Sequence, residues 1–323
     1  MTRIRVINPN TALAMTESIG RCARAVASPS TEVTAVSPAM GPESIESHYD
    51  EALAVPGVLA EIAKGEREGV DAYVIACFGD PGLDAARELA AGPVLGIAEA
   101  AMHAATMVGR TFSVVTTLAR TTGRAWDLAH RYGFAAACRG VHACEIPVLD
   151  LEKPPARAAV TELCAQVAER DGSDAIVLGC AGMADFCAEV SRATGVPVID
   201  GVAAATRFAE SLVALGLRTS TRGEYARPRP TSRHNPAHPG APGTAQARQH
   251  TTAHLPTRLT TPASPHGPQR SPARPWCGAV GAPSRPGVVG GSTARRAPGV
   301  ARSALPRGLA WSVGFMARIR GRF

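Results

Sequence analysis

DAYVIAC, residues 71–77, returns 103 residues later as DAIVLGC, residues 174–180, without a gap. Each copy is a short apolar run that ends on a cysteine just before small residues turn the chain: FGDPG after Cys77, AGMAD after Cys180. Runs this apolar, with β-branched residues and no alternation, are the mark of strands buried on both faces, as in parallel sheets covered by helices. The echo continues downstream, where GPVL (92–95) matches GVPVI (195–199) with one inserted residue. Upstream, VINPN (6–10) has a looser partner in VVTTL (114–118). The chain therefore reads as a duplicated α/β unit.

Working outward, strand-like and Ala-rich helical segments alternate along the first two thirds of the chain. Strands are expected at 3–10, 31–38, 71–78, 93–97, 112–117, 141–148, 175–180 and 197–200, with helices between them. The predicted fold class is α/β: two similar domains, each a parallel sheet flanked by helices, related by a pseudo-dyad. The expected division is 1–98, completed by 204–225, for the first domain and 99–203 for the second. In open parallel sheets a ligand sits beyond the carboxyl ends of the strands, so both cysteine turns are expected at one cleft.

Charge separates this body from the C-terminal tail. From Ala226 to Phe323 there are 15 Arg and no Lys, Asp or Glu, whereas residues 1–225 hold 19 Lys+Arg against 27 acids. The net charge of +7 thus belongs to the tail, and the body is mildly acidic. The tail carries 15 of the 26 prolines and no apolar periodicity until a few residues near its end, a composition that cannot repay ordering, and is expected to be disordered. An acid-free, Lys-free stretch rich in Arg, Pro, Ala and Gly is also what a GC-rich gene yields when translated out of frame. The tail is read as a frameshift or read-through product. A cationic arm binding nucleic acid is the weaker alternative, because Lys and interleaved aromatics are missing.

Eight cysteines without a C-x-x-C pair suit free thiols in a reducing compartment rather than a disulfide scaffold. No run of about 18 apolar residues indicates a membrane span, and MTRIRVINPN has no signal-peptide core, so a soluble cytoplasmic protein is expected. Cys22, Cys138, Cys144, Cys164 and Cys187 read as small core residues. Cys77 and Cys180 differ, because backbone N–H groups at a strand-to-helix turn favour a thiolate and can hold an oxyanion. Two such thiols on opposite faces of a ligand suit proton transfer at a carbon next to a carbonyl, one acting as base and the other as acid. No metal or cofactor is required, and a Cys77–Cys180 disulfide is the less favoured reading. Asn8, Thr116 and Thr117 lie at strand ends and are weighed as ligand contacts against helix capping. Asp80 is read mainly as a cap for the helix after Cys77, and His48 and His103 as ordinary histidines. No G-x-G-x-x-G or Walker sequence supports nucleotide binding.

RVINPNT (5–11), SIESHYDEALAVPG (44–57), ACFGDPGLDAARE (76–88), GPVLGIAEAAMHAA (92–105), FSVVTTLART (112–121), IVLGCAGMAD (176–185) and GVPVIDGVAAA (195–205) together resemble the hydantoin racemases of the aspartate/glutamate racemase superfamily. The resemblance covers about residues 3–228. It implies cofactor-independent racemisation of 5-monosubstituted hydantoins, with a small cyclic ureide as substrate and a homo-oligomeric state. It places the two catalytic cysteines at Cys77 and Cys180, and the substrate-contacting turns at Asn10, Gly79, Thr116, Thr117, Ala181 and Gly182. Ala12 stands where many relatives have Ser. Phe78-Gly79 after the first cysteine, in place of Asn-Thr, points to a cyclic ureide rather than a free amino acid. Allantoin racemase is the nearest competing reading.

Overall fold

The structure, a computed structural model, describes residues 1–229; the disordered tail expected from Ala226 lies outside them from residue 230 onward. Among the described residues, eight strands form two four-stranded sheets. The first holds β1 (Thr2–Ile7), β2 (Thr31–Val36), β3 (Ala72–Ile75) and β4 (Val94–Gly96) in the order β2-β1-β3-β4. The second holds β5 (Phe112–Thr116), β6 (Cys138–Ala143), β7 (Ala175–Leu178) and β8 (Val198–Asp200) in the order β6-β5-β7-β8. All pairings are parallel. The duplication extends to register: Ile4 pairs with Ala72 as Phe112 pairs with Ala175, and Tyr73 with Val94 as Ile176 with Val198. Strand β6 begins and ends earlier than the expected 141–148, and its regular pairing ends just before Glu145, which takes a left-handed backbone (φ 56°).

The helices between are α1 (Leu13–Val26), α2 (His48–Glu68), α3 (Leu83–Leu89), α4 (Ile97–Val108), α5 (Thr122–Arg131), α6 (Pro154–Asp171), α7 (Cys187–Thr194) and α8 (Gly201–Ala214). Both faces of each central strand are buried, as their near-continuous apolar composition requires. In β3, Ala72 and Val74 face one cluster while Tyr73 and Ile75 face another; in β7, Ala175 and Val177 oppose Ile176 and Leu178.

Helices α4 and α8, which follow the last strand of each sheet, exchange sheets. Ala101, Met102 and Ala105 of α4 pack with Phe112, Val114 and Val177 of the second sheet. Val202, Ala205 and Ala209 of α8 pack with Ile4, Val6 and Val74 of the first. The two helices meet where a Cβ on Gly201 would come within 2.5 Å of the Ile97 carbonyl oxygen, so only glycine admits the approach. No described helix is long and apolar enough to cross a membrane.

Candidate active site

The carboxyl ends of β1 and β3 from one sheet, and of β5 and β7 from the other, open on one cavity of about 210 Å³. It is lined by Asn8, Asn10, Cys77, Gly79, Thr116, Thr117, Cys180 and Ala181, eight of the nine residues singled out in the sequence. Gly182 is the exception: it does not line the cavity but directs its backbone N–H to the Cys180 thiol. Cys77 has the matching arrangement, with the N–H of Gly79 directed to its sulfur. Each sulfur thus lies beside the amide two residues on, in a turn where that residue is glycine. A Cβ at Gly79 would overlap the Glu51 carboxylate, and one at Gly182 would press on Leu151 Cδ1 at 3.0 Å.

Both thiols are partly exposed, towards the cavity, and otherwise enclosed by protein. Contrary to the expectation of a lowered thiol pKa, burial pushes both up. Cys180 rises to about 12, burial outweighing the Gly182 N–H, with Cys144 and Glu46 adding to the rise. Cys77 is pushed higher still by burial, against the Gly79 N–H, with Glu51, Cys180 and Asp80 adding to the rise. One N–H donor per sulfur does not offset the loss of water. The expected helix N-terminus is also less direct than the sequence suggests. A turn separates Cys77 from the short helix α3, and Cys180 opens a 3-10 segment (Ala181–Phe186) before α7.

The other strand-end residues are held in place by local bonds. Asn8, 1% exposed, donates from its amide to Asn10 Oδ1 (2.7 Å) and Thr16 Oγ1 (2.9 Å). Asn10 Oδ1 also accepts the Ala12 N–H at 3.0 Å. Thr116 caps no helix; its hydroxyl donates to the carbonyl of Gly179 at 3.1 Å and ties β5 to the residue before Cys180. Thr117 is buried against the cavity, and its carbonyl accepts from Ile146 N–H (3.3 Å) and the Cys144 thiol (3.6 Å).

Asp80 caps a different helix from the one expected. Its carboxylate accepts the N–H groups of Ala98 and Glu99, both at 3.0 Å, in the first turn of α4. It also accepts the Tyr132 hydroxyl at 2.7 Å, from the end of α5. The reason lies in the duplication. The position of Gly96 is held in the second half by Asp200, which caps its own helix α8 through Val202 and Ala203. Glycine at 96 leaves α4 without a local cap, and the Asp80 carboxylate fills the space that a Cβ there would need. Asp80 reaches it from a left-handed backbone (φ 46°), which aspartate tolerates. Burial raises its pKa to about 6, against the pull of the three donors.

The sequence reading missed the charged wall of the cavity. Glu51, in the first turn of α2, lies 3.2 Å from the guanidinium of Arg124 on α5. The same Arg124 Nη2 donates to the Gly79 carbonyl at 2.9 Å, bridging the two halves above Cys77. Burial raises the Glu51 pKa, against the pull of Arg124 and then His48. Near Cys180 the lining includes the apolar side chains of Met15, Val148 and Ala181.

Fold and site together define a class: a duplicated parallel α/β enzyme whose halves each present one strand-end cysteine to a shared cavity. The chain belongs to the Asp/Glu/Hydantoin racemase family, whose model matches residues 4–209, and is an isomerase of the racemase type. It is 50% identical over 230 residues to a hydantoin racemase of Pseudomonas sp. (strain NS671), covering 70% of this chain and 92% of that one. To a hydantoin racemase of Rhizobium meliloti it is 51% identical over 229 residues, covering 70% and 95%. Among solved structures, an allantoin racemase from Klebsiella pneumoniae is 56% identical with a TM-score of 0.72, covering 73% of this chain and 97% of that one.

Proposed function

We propose that the chain racemises 5-monosubstituted hydantoins by two-base proton transfer at C5, with Cys77 on one face and Cys180 on the other. The observation that carries this reading is the pair of matching turns, which bring Cys77 and Cys180 to the same cavity, each sulfur beside the amide of the glycine two residues on. The C5–H bond breaks as its proton passes to one thiolate, and the electrons move onto the adjacent carbonyl oxygen. The opposite thiol then delivers a proton to the other face, and the spent pair exchanges protons with solvent. In this scheme a strand-end residue that lines the cavity, such as Thr117, serves as donor to the developing oxyanion. No redox change occurs, and no cofactor enters the scheme.

The test is loss of optical rotation from an enantiopure 5-substituted hydantoin in D2O, with deuterium entering C5. Full activity in either Cys77→Ala or Cys180→Ala would refute the two-thiol scheme. Allantoin, a hydantoin with a ureido group at C5, is the second reading, favoured by the 56% identity to the K. pneumoniae enzyme. A panel comparing alkyl hydantoins with allantoin separates the two. The proposal includes a homo-oligomer in a cytoplasmic setting. It also takes residues 1–98 with 204–225 as one domain and 99–203 as the other, a division supported by the exchange of α4 and α8 between the sheets.

A further inference from the structure

The ionisable side chains of the cavity lining are His48, Glu51, Arg120 and Arg124, beside the two cysteines, and Glu51 and Arg124 meet beside Cys77. Only part of that pair's hydrogen-bonding capacity is used. Arg124 directs Nη2 to the Gly79 carbonyl and to Glu51, and both charged side chains line the cavity. Covering an ion pair with a group that can bond to neither partner is costly. A ligand fragment carrying a carbonyl oxygen and an N–H at one end would satisfy both sides at once, the oxygen at the guanidinium and the N–H at the carboxylate. An alkyl fragment of the same shape would satisfy neither. A carboxylate would meet Arg124 but be repelled by Glu51.

We propose that the Glu51–Arg124 pair is the specificity-determining element of this cavity and selects hydantoins whose C5 substituent ends in an amide-type group. The inference rests on the hydantoin reading above. Sites built to hydrogen-bond a substrate reject analogues lacking the group far more strongly than apolar pockets reject a missing methylene. Three hydantoins of nearly equal shape isolate the effect: 5-carbamoylmethyl, 5-carboxymethyl and 5-isobutyl. With the full chain, kcat/KM for the carbamoylmethyl compound is expected to exceed both others at least tenfold. In the double variant E51Q/R124M, which leaves no lone buried charge, that preference is expected to collapse to within about threefold. Arg124→Lys, which keeps the charge and replaces the planar guanidinium fork with a single ammonium, is expected to cut the preference as well, and serves if the double variant does not fold. A wild-type preference below tenfold, or one unchanged in these variants, overturns the inference and leaves the hydantoin reading standing. Racemisation of none of the three compounds overturns both.

Discussion

Cys77 and Cys180 occupy equivalent turns but not equivalent surroundings, and that difference bears on how single variants behave. The equilibrium between mirror-image substrates is unity, so removing either thiol must slow inversion equally in both directions. Cys77→Ala and Cys180→Ala are each expected to reduce inversion by roughly 10³-fold or more, read by polarimetry from either enantiomer. The asymmetry emerges only in isotope exchange, where each variant is expected to exchange C5 hydrogen of one enantiomer while sparing the other. The pH profile is set by the raised thiol pKa values. Because burial holds Cys180 near 12 and Cys77 above it, the thiolate is scarce at pH 7 and grows about tenfold per pH unit. Thus log kcat/KM is expected to climb with a slope near one from about pH 7 to pH 9, and a plateau across that range would contradict burial as the dominant influence. These two residues were legible in the sequence because each repeats in a repeated context. Glu51 and Arg124 were not: each is one charged residue on a helix, 73 positions apart in the chain, and only the folded cavity brings them together.

At the level of elements, the strand pattern and its duplication were readable because apolar runs encode parallel strands with both faces covered. Capping was misread where the copies diverge, since nothing near Asp80 in sequence announces a helix 18 residues on. Asp80→Ala strands two first-turn amides of α4 and the Tyr132 hydroxyl, and is expected to cost about 2–3 kcal/mol of stability. Asp200→Ala, which loses a local cap only, is expected to cost about 1 kcal/mol. Denaturant titration of the two variants decides the order, and equal losses would mean that the bond from Tyr132 contributes nothing. Gly96→Ala is expected to mimic Asp80→Ala, because its Cβ would displace the Asp80 carboxylate.

For the whole molecule, the exchanged helices α4 and α8 tie both sheets into one cooperative unit. Residues 1–229 alone are expected to unfold in a single transition, with calorimetric and van't Hoff enthalpies in agreement, and to retain the racemase activity of the full chain. Two resolved transitions would show that the halves melt separately. The exchange also has a consequence for synthesis on the ribosome. The first sheet is complete in its strands by Gly96, yet α1 covers only part of this face, and the part over β3 and β4 stays uncovered until α8, Gly201–Ala214, has left the exit tunnel. At about 5–20 residues per second the nascent chain carries that uncovered apolar face for several seconds or longer. Chaperone capture, if it occurs, is thus expected on chains stalled between Gly96 and Gly201 and not on chains that have passed Ala214.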